Sequence, residues 1–190
     1  MSRIPRIRSR IIFASVVGML ATFVNVTTAN ADTYANANAS SNGNNRGNGA
    51  GMGNITQSGE IWKEGLAKFP SSPLLKVKLG WHHMMRVMIF VSDDPPADVR
   101  KAGDLTRHVL ANVHLSPQVA RLANWLMSFV LVQEKDFDGA LAAANKTVAL
   151  APYDTFMLSR LTMVLVQVGR PELALQWADQ TAARDPALGW

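Results

Sequence analysis

Side chains that could bind a soft metal ion are concentrated in one short segment, His82-His83-Met84-Met85. Imidazole nitrogen and thioether sulfur are ligands that suit Cu(I). Successive residues of a helix point about 100° apart, however, so at most two of these side chains can reach one ion. Met84 and Met88 share a helix face, which is also how core residues are spaced. We therefore predict no metal site and keep copper binding through His82, His83 and nearby Met as an alternative.

The remaining polar residues give no catalytic pattern. Asp93-Asp94 stands directly before Pro95-Pro96, an arrangement that favours a helix N-cap over a metal ligand. The chain has no cysteine, which excludes thiol catalysis and thiolate metal sites. It also has no nucleophile elbow, zinc-protease motif, phosphate loop or dinucleotide fingerprint. The sequence therefore predicts a protein that is not an enzyme and has no cofactor.

The first residues are typical of an export signal. Four arginines precede an apolar stretch at 11–24, and Ala29-Asn30-Ala31 provides the small residues that signal peptidase accepts. The stretch is shorter than the ~20 residues that span a bilayer as a helix. We predict a signal peptide at 1–31 and a periplasmic or secreted bacterial protein. Membrane insertion is expected only in the alternative case, in which the signal stays uncleaved as an anchor.

Removal of this signal changes the charge balance. The whole chain carries a formal charge of +5, but four arginines leave with the signal, so the remainder is close to neutral. The high pI of about 9.9 is then mainly a targeting feature, and no nucleic-acid partner is predicted.

Residues 32–59 are rich in Asn and Gly and poor in large apolar residues, a composition that predicts a disordered linker.

From residue 60 onward the pattern is helical, and its last part repeats. Residues 121–154 and 155–188 align without gaps and are identical at ten positions, including the string VLVQ. Ala140 and Ala174 recur near the start of a second helix, where a small side chain lets two helices approach closely. A 34-residue period built from two helices is typical of the tetratricopeptide repeat. The sequence thus predicts an all-α fold, an α-α superhelix (solenoid) of about three and a half repeats.

The predicted repeat domain covers 60–188. Its second unit is longer than the period, and the surplus is expected between its two helices or just before Pro117, with Ser116 as the helix N-cap. The predicted units are a partial one at 60–72 and full ones at 73–120, 121–154 and 155–188.

Three strings carry a closer resemblance: LGWHHMMRVMIFVSDDPPAD, DGALAAANKTVALAPYD and VGRPELALQWADQ. They resemble the tetratricopeptide region attached to bacterial class III adenylate/guanylate cyclases and related sensor proteins. In that family the repeats accompany a separate cyclase or DNA-binding domain, for which this sequence leaves no room. The resemblance therefore implies a fold and a protein-interaction role, and no cyclase activity. A degenerate fragment of such a protein is a further alternative.

In this type of repeat the first helices line a concave face that usually meets the ligand. On the predicted register that face is apolar and aromatic, which favours a partner with an apolar helix or extended segment. Ordinary core packing between the helices is the alternative for these positions. The predicted partner-binding residues are Trp81, Met84, Leu122, Trp125, Phe129, Phe156 and Met163.

The last predicted helix, in GRPELALQWADQTAARDP, has few residues after it. Solenoids normally end in a polar capping element, because the last unit otherwise leaves an apolar side uncovered. Leu173 and Trp177 are expected near this edge. We therefore predict a second surface at the C-terminal edge, which pairs either with another protein or with a second copy of the chain as a homo-oligomer.

Overall fold

The computed structural model describes residues 50–185, with the side chains of 56–185 except those of 156 and 160. The predicted signal peptide at 1–31, most of the predicted linker and residues 186–188 lie outside the described residues. The described part has seven α-helices and no strand. The helices are α1 (Ala50–Lys68), α2 (Pro73–Met88), α3 (Pro95–Leu110), α4 (Pro117–Gln133), α5 (Phe137–Leu150), α6 (Thr155–Gln167) and α7 (Pro171–Arg184).

Side-chain caps and prolines fix where most of these helices begin. Ser116 accepts a hydrogen bond from the backbone N–H of Val119 at 3.3 Å, directly before Pro117, so the predicted N-cap of α4 is confirmed. Asp94 caps α3 in the same way, through the N–H of Ala97 at 2.9 Å, which confirms the cap predicted for Asp93-Asp94. Such caps satisfy backbone donors that have no partner within the helix.

The helices pack as three successive hairpins, α2–α3, α4–α5 and α6–α7, with α1 in front of the first. The first helices of the hairpins also contact one another, α2 with α4 and α4 with α6. Each second helix, α3 or α5, packs against the first helix of the next hairpin. This all-helical, repeat-like arrangement is consistent with an α-solenoid. Ala140 and Ala174, the small residues of the predicted close contacts, are 0% and 4% exposed.

The hairpin turns share one backbone motif. The residue after the helix C-cap has a positive φ in all three: 61° at Phe90, 63° at Lys135 and 76° at Gly169. In the second turn, Lys135 donates its N–H to the carbonyl of Val132 at 3.1 Å, and Asp136 donates to that of Leu131 at 2.9 Å. These two bonds define a Schellman motif, which satisfies the last carbonyls of the helix.

The start of the helical region differs from the prediction. We expected a disordered linker up to residue 59, but α1 begins at Ala50. Ser58 and Gly59 are buried, and a Cβ atom on Gly59 would fall against the ring of His82 on α2. Small residues therefore allow α1 and α2 to approach closely here. The stretch up to residue 59 is poor in large apolar residues, and this composition indicated disorder. The same small residues also allow two helices to pack closely.

The long second unit also differs in detail from the predicted bounds. Its surplus lies in both expected places, in the connections 89–94 and 111–116. The helix α4 begins at Pro117, which is within the predicted second unit and before the predicted start of the third at 121. In the described part of the chain, no helix is long and apolar enough to cross a membrane.

The turn motif gives a matched pair of substitutions. Lys135→Gly is expected to raise the free energy of unfolding by about 1 kcal/mol, because glycine adopts a positive φ without the steric cost that L-residues pay. Gly169→Ala is expected to lower it by a similar amount. A Cβ on Gly169 meets no atom within 4 Å, so the effect there comes from the backbone alone. Urea unfolding measures both changes in free energy. Two changes of the same sign would contradict the positive φ assigned to Lys135 and Gly169.

Candidate functional site

The predicted groove residues form an aromatic cluster at the contact between α2 and α4. The ring of Trp81 lies 4.4 Å from that of Trp125 and 5.7 Å from that of Phe129, centroid to centroid. Trp125 and Phe129 are 6.4 Å apart in an edge-on arrangement. Trp81 and Phe129 are each 1% exposed, and Trp125 is 5% exposed. These rings therefore pack against one another between the helices.

Three of the other four predicted groove residues belong to the same packed interior. Met84 is 0% exposed, Met163 is 8% exposed, and Leu122 is half-buried against this core. The side chain of Phe156 lies outside the described residues. A partner could reach the buried residues only if the helices that cover them separated. Binding at these positions stays a prediction, and the observed geometry is that of inter-helix core.

The His-Met segment sends its side chains to different neighbours. The ring of His82 meets that of Trp62 on α1 edge-on at 6.3 Å, and His83 binds Asp98 on α3. Met84 and Met85 are buried in the core. Within residues 56–185, no group of three or more His, Cys, Asp or Glu side chains is placed to hold a metal ion. Copper binding stays an alternative to the prediction of no metal site, and the segment as folded connects three helices.

A buried carboxylate joins α2, α3 and the connection between them. Asp98 accepts hydrogen bonds from Nδ1 of His83 at 2.7 Å, from Nε of Arg86 at 3.1 Å and from Oγ of Ser92 at 2.6 Å. Arg86 also donates to Asp93 at 3.1 Å. We call His83, Arg86, Ser92 and Asp98 the Asp98 cluster. Because only 10% of the Asp98 side chain is exposed, these bonds replace hydration of its charge.

The Asp98 cluster has a serine, a histidine and an aspartate, but its bonds are wrong for nucleophilic catalysis. A catalytic serine must give its proton to the histidine, with the aspartate on the far side of the imidazole ring. Here Ser92 and His83 both donate to Asp98. The Ser92 hydroxyl is bonded to the carboxylate and not to the imidazole, so these bonds are not those of a Ser-His-Asp triad. The cluster holds the α2–α3 connection in place.

The electrostatics of the cluster follow from burial and hydrogen bonding. Burial opposes ionisation of Asp98, but the bonds from Ser92, His83 and Arg86 together hold its pKa below the usual value. Burial lowers the pKa of His83, although its hydrogen bond to Asp98 and the charge there oppose this shift. The neutral imidazole must carry its proton on Nδ1, since an ionised carboxylate only accepts.

Lys78 is a second buried ionisable group that the sequence analysis did not identify. It lies on α2, one turn before His82, and is 8% exposed. Burial lowers the pKa of Lys78 to about 8, because the low-dielectric surroundings penalise its charged form. Neither Lys78 nor Asp98 has a local sequence signal, since the burial of each depends on helices brought together by the fold.

The predicted C-terminal edge stays a prediction, and α7 can be compared with α5, which holds the same register 34 residues earlier. Leu175 is 62% exposed, whereas Leu141 is half-buried. Ala178 is half-buried, whereas Ala144 is 0% exposed. The helix α5 packs on both α4 and α6, while α7 packs chiefly on α6. The side of α7 that carries Leu175 and Ala178 is therefore less covered than its counterpart.

One surface feature was missed from the sequence. Phe90, in the connection between α2 and α3, is 94% exposed. Helical patterning places residues on faces of helices and gives no signal for the exposure of a turn residue.

Comparison with known proteins adds no relative, since no protein-family model, curated protein or solved structure matches the chain.

Substitution of the buried carboxylate tests the Asp98 cluster. Asp98→Asn is expected to lower the free energy of unfolding by about 2–3 kcal/mol, because His83, Arg86 and Ser92 lose a charged acceptor. Asp93→Asn is the matched control, since the Asp93 side chain is fully exposed, and its effect is expected within about 0.5 kcal/mol. Urea unfolding at neutral pH measures both; equal effects would show that burial of Asp98 is unimportant.

The two lowered pKa values predict loss of stability in acid. The unfolded chain takes up a proton at His83 near pH 6.5, whereas the folded chain takes it up only at lower pH. Stability that is present at pH 7 is therefore lost as the pH falls through about 6 and below. Asp98 adds a further loss below about pH 4. His83→Gln is expected to flatten the first part of the profile in urea unfolding; an unchanged profile would contradict this origin.

Proposed function

We propose that the chain is an exported, non-catalytic scaffold of helical repeats that binds another protein through its C-terminal edge. The observation that supports this role is the partly uncovered side of α7, where Leu175 is 62% exposed. Export is proposed on the sequence pattern of residues 1–31. The repeat type, proposed as tetratricopeptide-like, rests on the 34-residue period of the last two units.

The α7 surface suits a helical partner. In the preceding hairpin, the equivalent helix α5 contacts the following helix, α6. Leu175 and Ala178 hold the register positions of Leu141 and Ala144 in α5, and Ala182, one further turn along, is also only half-buried. A leucine beside small alanines allows a second helix to approach closely and cover the leucine. We therefore expect the partner to contribute an amphipathic helix in the place where another hairpin would continue the array.

Charge distinguishes a partner protein from a second copy of the chain. Glu172 and Asp179 lie about one turn before and after Leu175 and are exposed. In the described residues, neither carboxylate makes an ion pair within 4.0 Å. A parallel pairing of two α7 helices would bring each of these carboxylates near its own copy. A partner helix with an apolar stripe and a basic flank is therefore the better complement.

Leu175→Glu tests the proposed function. In its own cell, the tagged full-length protein is expected to co-purify with a partner, and Leu175→Glu is expected to reduce that recovery at least about tenfold. Leu150→Glu is the control, because Leu150 is also an exposed leucine, at 41%, but lies at the end of α5. Unfolding of both variants should match the parent within about 0.5 kcal/mol.

The outcomes separate the alternatives. Equal recovery with all three proteins, or loss of binding in the Leu150→Glu variant alone, would reject the α7 surface. Sedimentation of the purified protein checks self-association. If it shows a dimer that Leu175→Glu dissociates, the partner at the α7 surface is a second copy of this chain.

A further inference from the structure

Phenylalanine at position 90 is not a residue that the stability of the fold would favour. A positive φ is uncommon for residues other than glycine, and for a bulky residue it is a clear outlier. The equivalent turn positions hold Lys135, which is long and polar, and Gly169, which has no side chain. The Phe90 ring is also 94% exposed, so its burial contributes almost nothing to stability. Residues held in costly conformations tend to cluster at functional sites, where the surrounding structure fixes them.

The backbone on both sides of Phe90 is firmly held. Phe90 donates its N–H to the carbonyl of Val87 at 3.2 Å, and Val91 donates to that of Arg86 at 2.9 Å. Ser92 is fixed by its 2.6 Å hydrogen bond to the buried Asp98. The ring is therefore displayed on a turn whose conformation is set before any partner arrives. A preorganised aromatic residue loses little conformational entropy on binding, which makes it an efficient anchor.

The charges beside Phe90 indicate the chemistry of the partner. Asp93 and Asp94 follow within four residues and are both exposed. Asp93 keeps a fully exposed side chain while it contacts Arg86, and Asp94 uses one oxygen to cap α3. Carboxylates next to an apolar anchor are complementary to basic groups and repel anionic lipid. A protein surface fits this pattern better than a bacterial membrane.

We propose that Phe90 is the anchor of a second binding surface, whose partner is a protein with an apolar pocket bordered by lysine or arginine. This inference rests on the proposed role in protein binding but uses a different surface from α7. The Asp98 cluster serves this surface as a positioning device, because it fixes the turn that presents the ring. Asp93 is the residue that the basic border of the pocket would meet.

Site-specific photo-crosslinking in the cell tests the proposal. A photoreactive phenylalanine analogue replaces Phe90 in the full-length protein, and in a control it replaces Val113, which is 86% exposed in the α3–α4 connection. Position 90 is expected to give a discrete protein adduct and position 113 none. Mass spectrometry is expected to map the adduct to a partner segment that contains lysine or arginine.

Two further variants sharpen this test. Asp93→Lys, made in the same crosslinking protein, is expected to reduce the adduct at position 90 at least about tenfold, since it reverses the charge beside the anchor. Leu175→Glu is expected to leave that adduct unchanged, so failure at the α7 surface and failure at Phe90 can be told apart.

Four results of the crosslinking experiment would overturn the proposal. No protein adduct at position 90, an adduct to a second copy of this chain, an acidic partner segment, or an adduct insensitive to Asp93→Lys would each reject it. Phe90→Gly provides the check on folding. Its thermal midpoint is expected to rise by roughly 2–6 °C as the strained backbone is relieved. A fall would show that the ring is needed for stability and would also overturn the proposal.

Discussion

The contact between α2 and α4 determines how the hairpins are spaced, because it is filled by the rings of Trp81, Trp125 and Phe129. Large rings in van der Waals contact resist compression, so they fix the separation of the two helices. Gly80, next to Trp81, adds a complementary close approach, since a Cβ there would lie 2.8 Å from Cδ2 of Leu126. The aromatic rings and Gly80 together therefore define the interface between α2 and α4.

Much of the helical framework could be predicted from local signals. Ser116 with Pro117, and Asp94 with Pro95, indicated helix starts correctly because caps and prolines act on the backbone directly beside them. The start of α1 at Ala50 could not be predicted in this way. The burial of Gly59 in α1 depends on His82 of another helix, and composition records no such contact.

The candidate surfaces were harder to predict than the helices. Periodicity placed Trp81 and Trp125 on the inner side of the first helices, but it gives no measure of how tightly neighbouring helices pack. Leu173 and Trp177 were expected near an open edge, but both are half-buried, and the exposed apolar residue of the last helix is Leu175. Phe90 had no such signal, since neither its backbone conformation nor its exposure follows from residue type. Asp98 was missed because its partners come from two other segments.

The hairpin arrangement has a consequence for how the chain folds. Each described helix packs chiefly on helices one or two places away along the chain, so the native state depends largely on local contacts. Low contact order favours rapid folding, because little loop-closure entropy is lost before contacts form. In such arrays, stability is approximately a sum of the units and the interfaces between neighbours. Among the described helices, the α6–α7 hairpin contacts a neighbouring hairpin on one side only, so it should open and close as a separate unit while the aromatic interface of α2 and α4 stays intact.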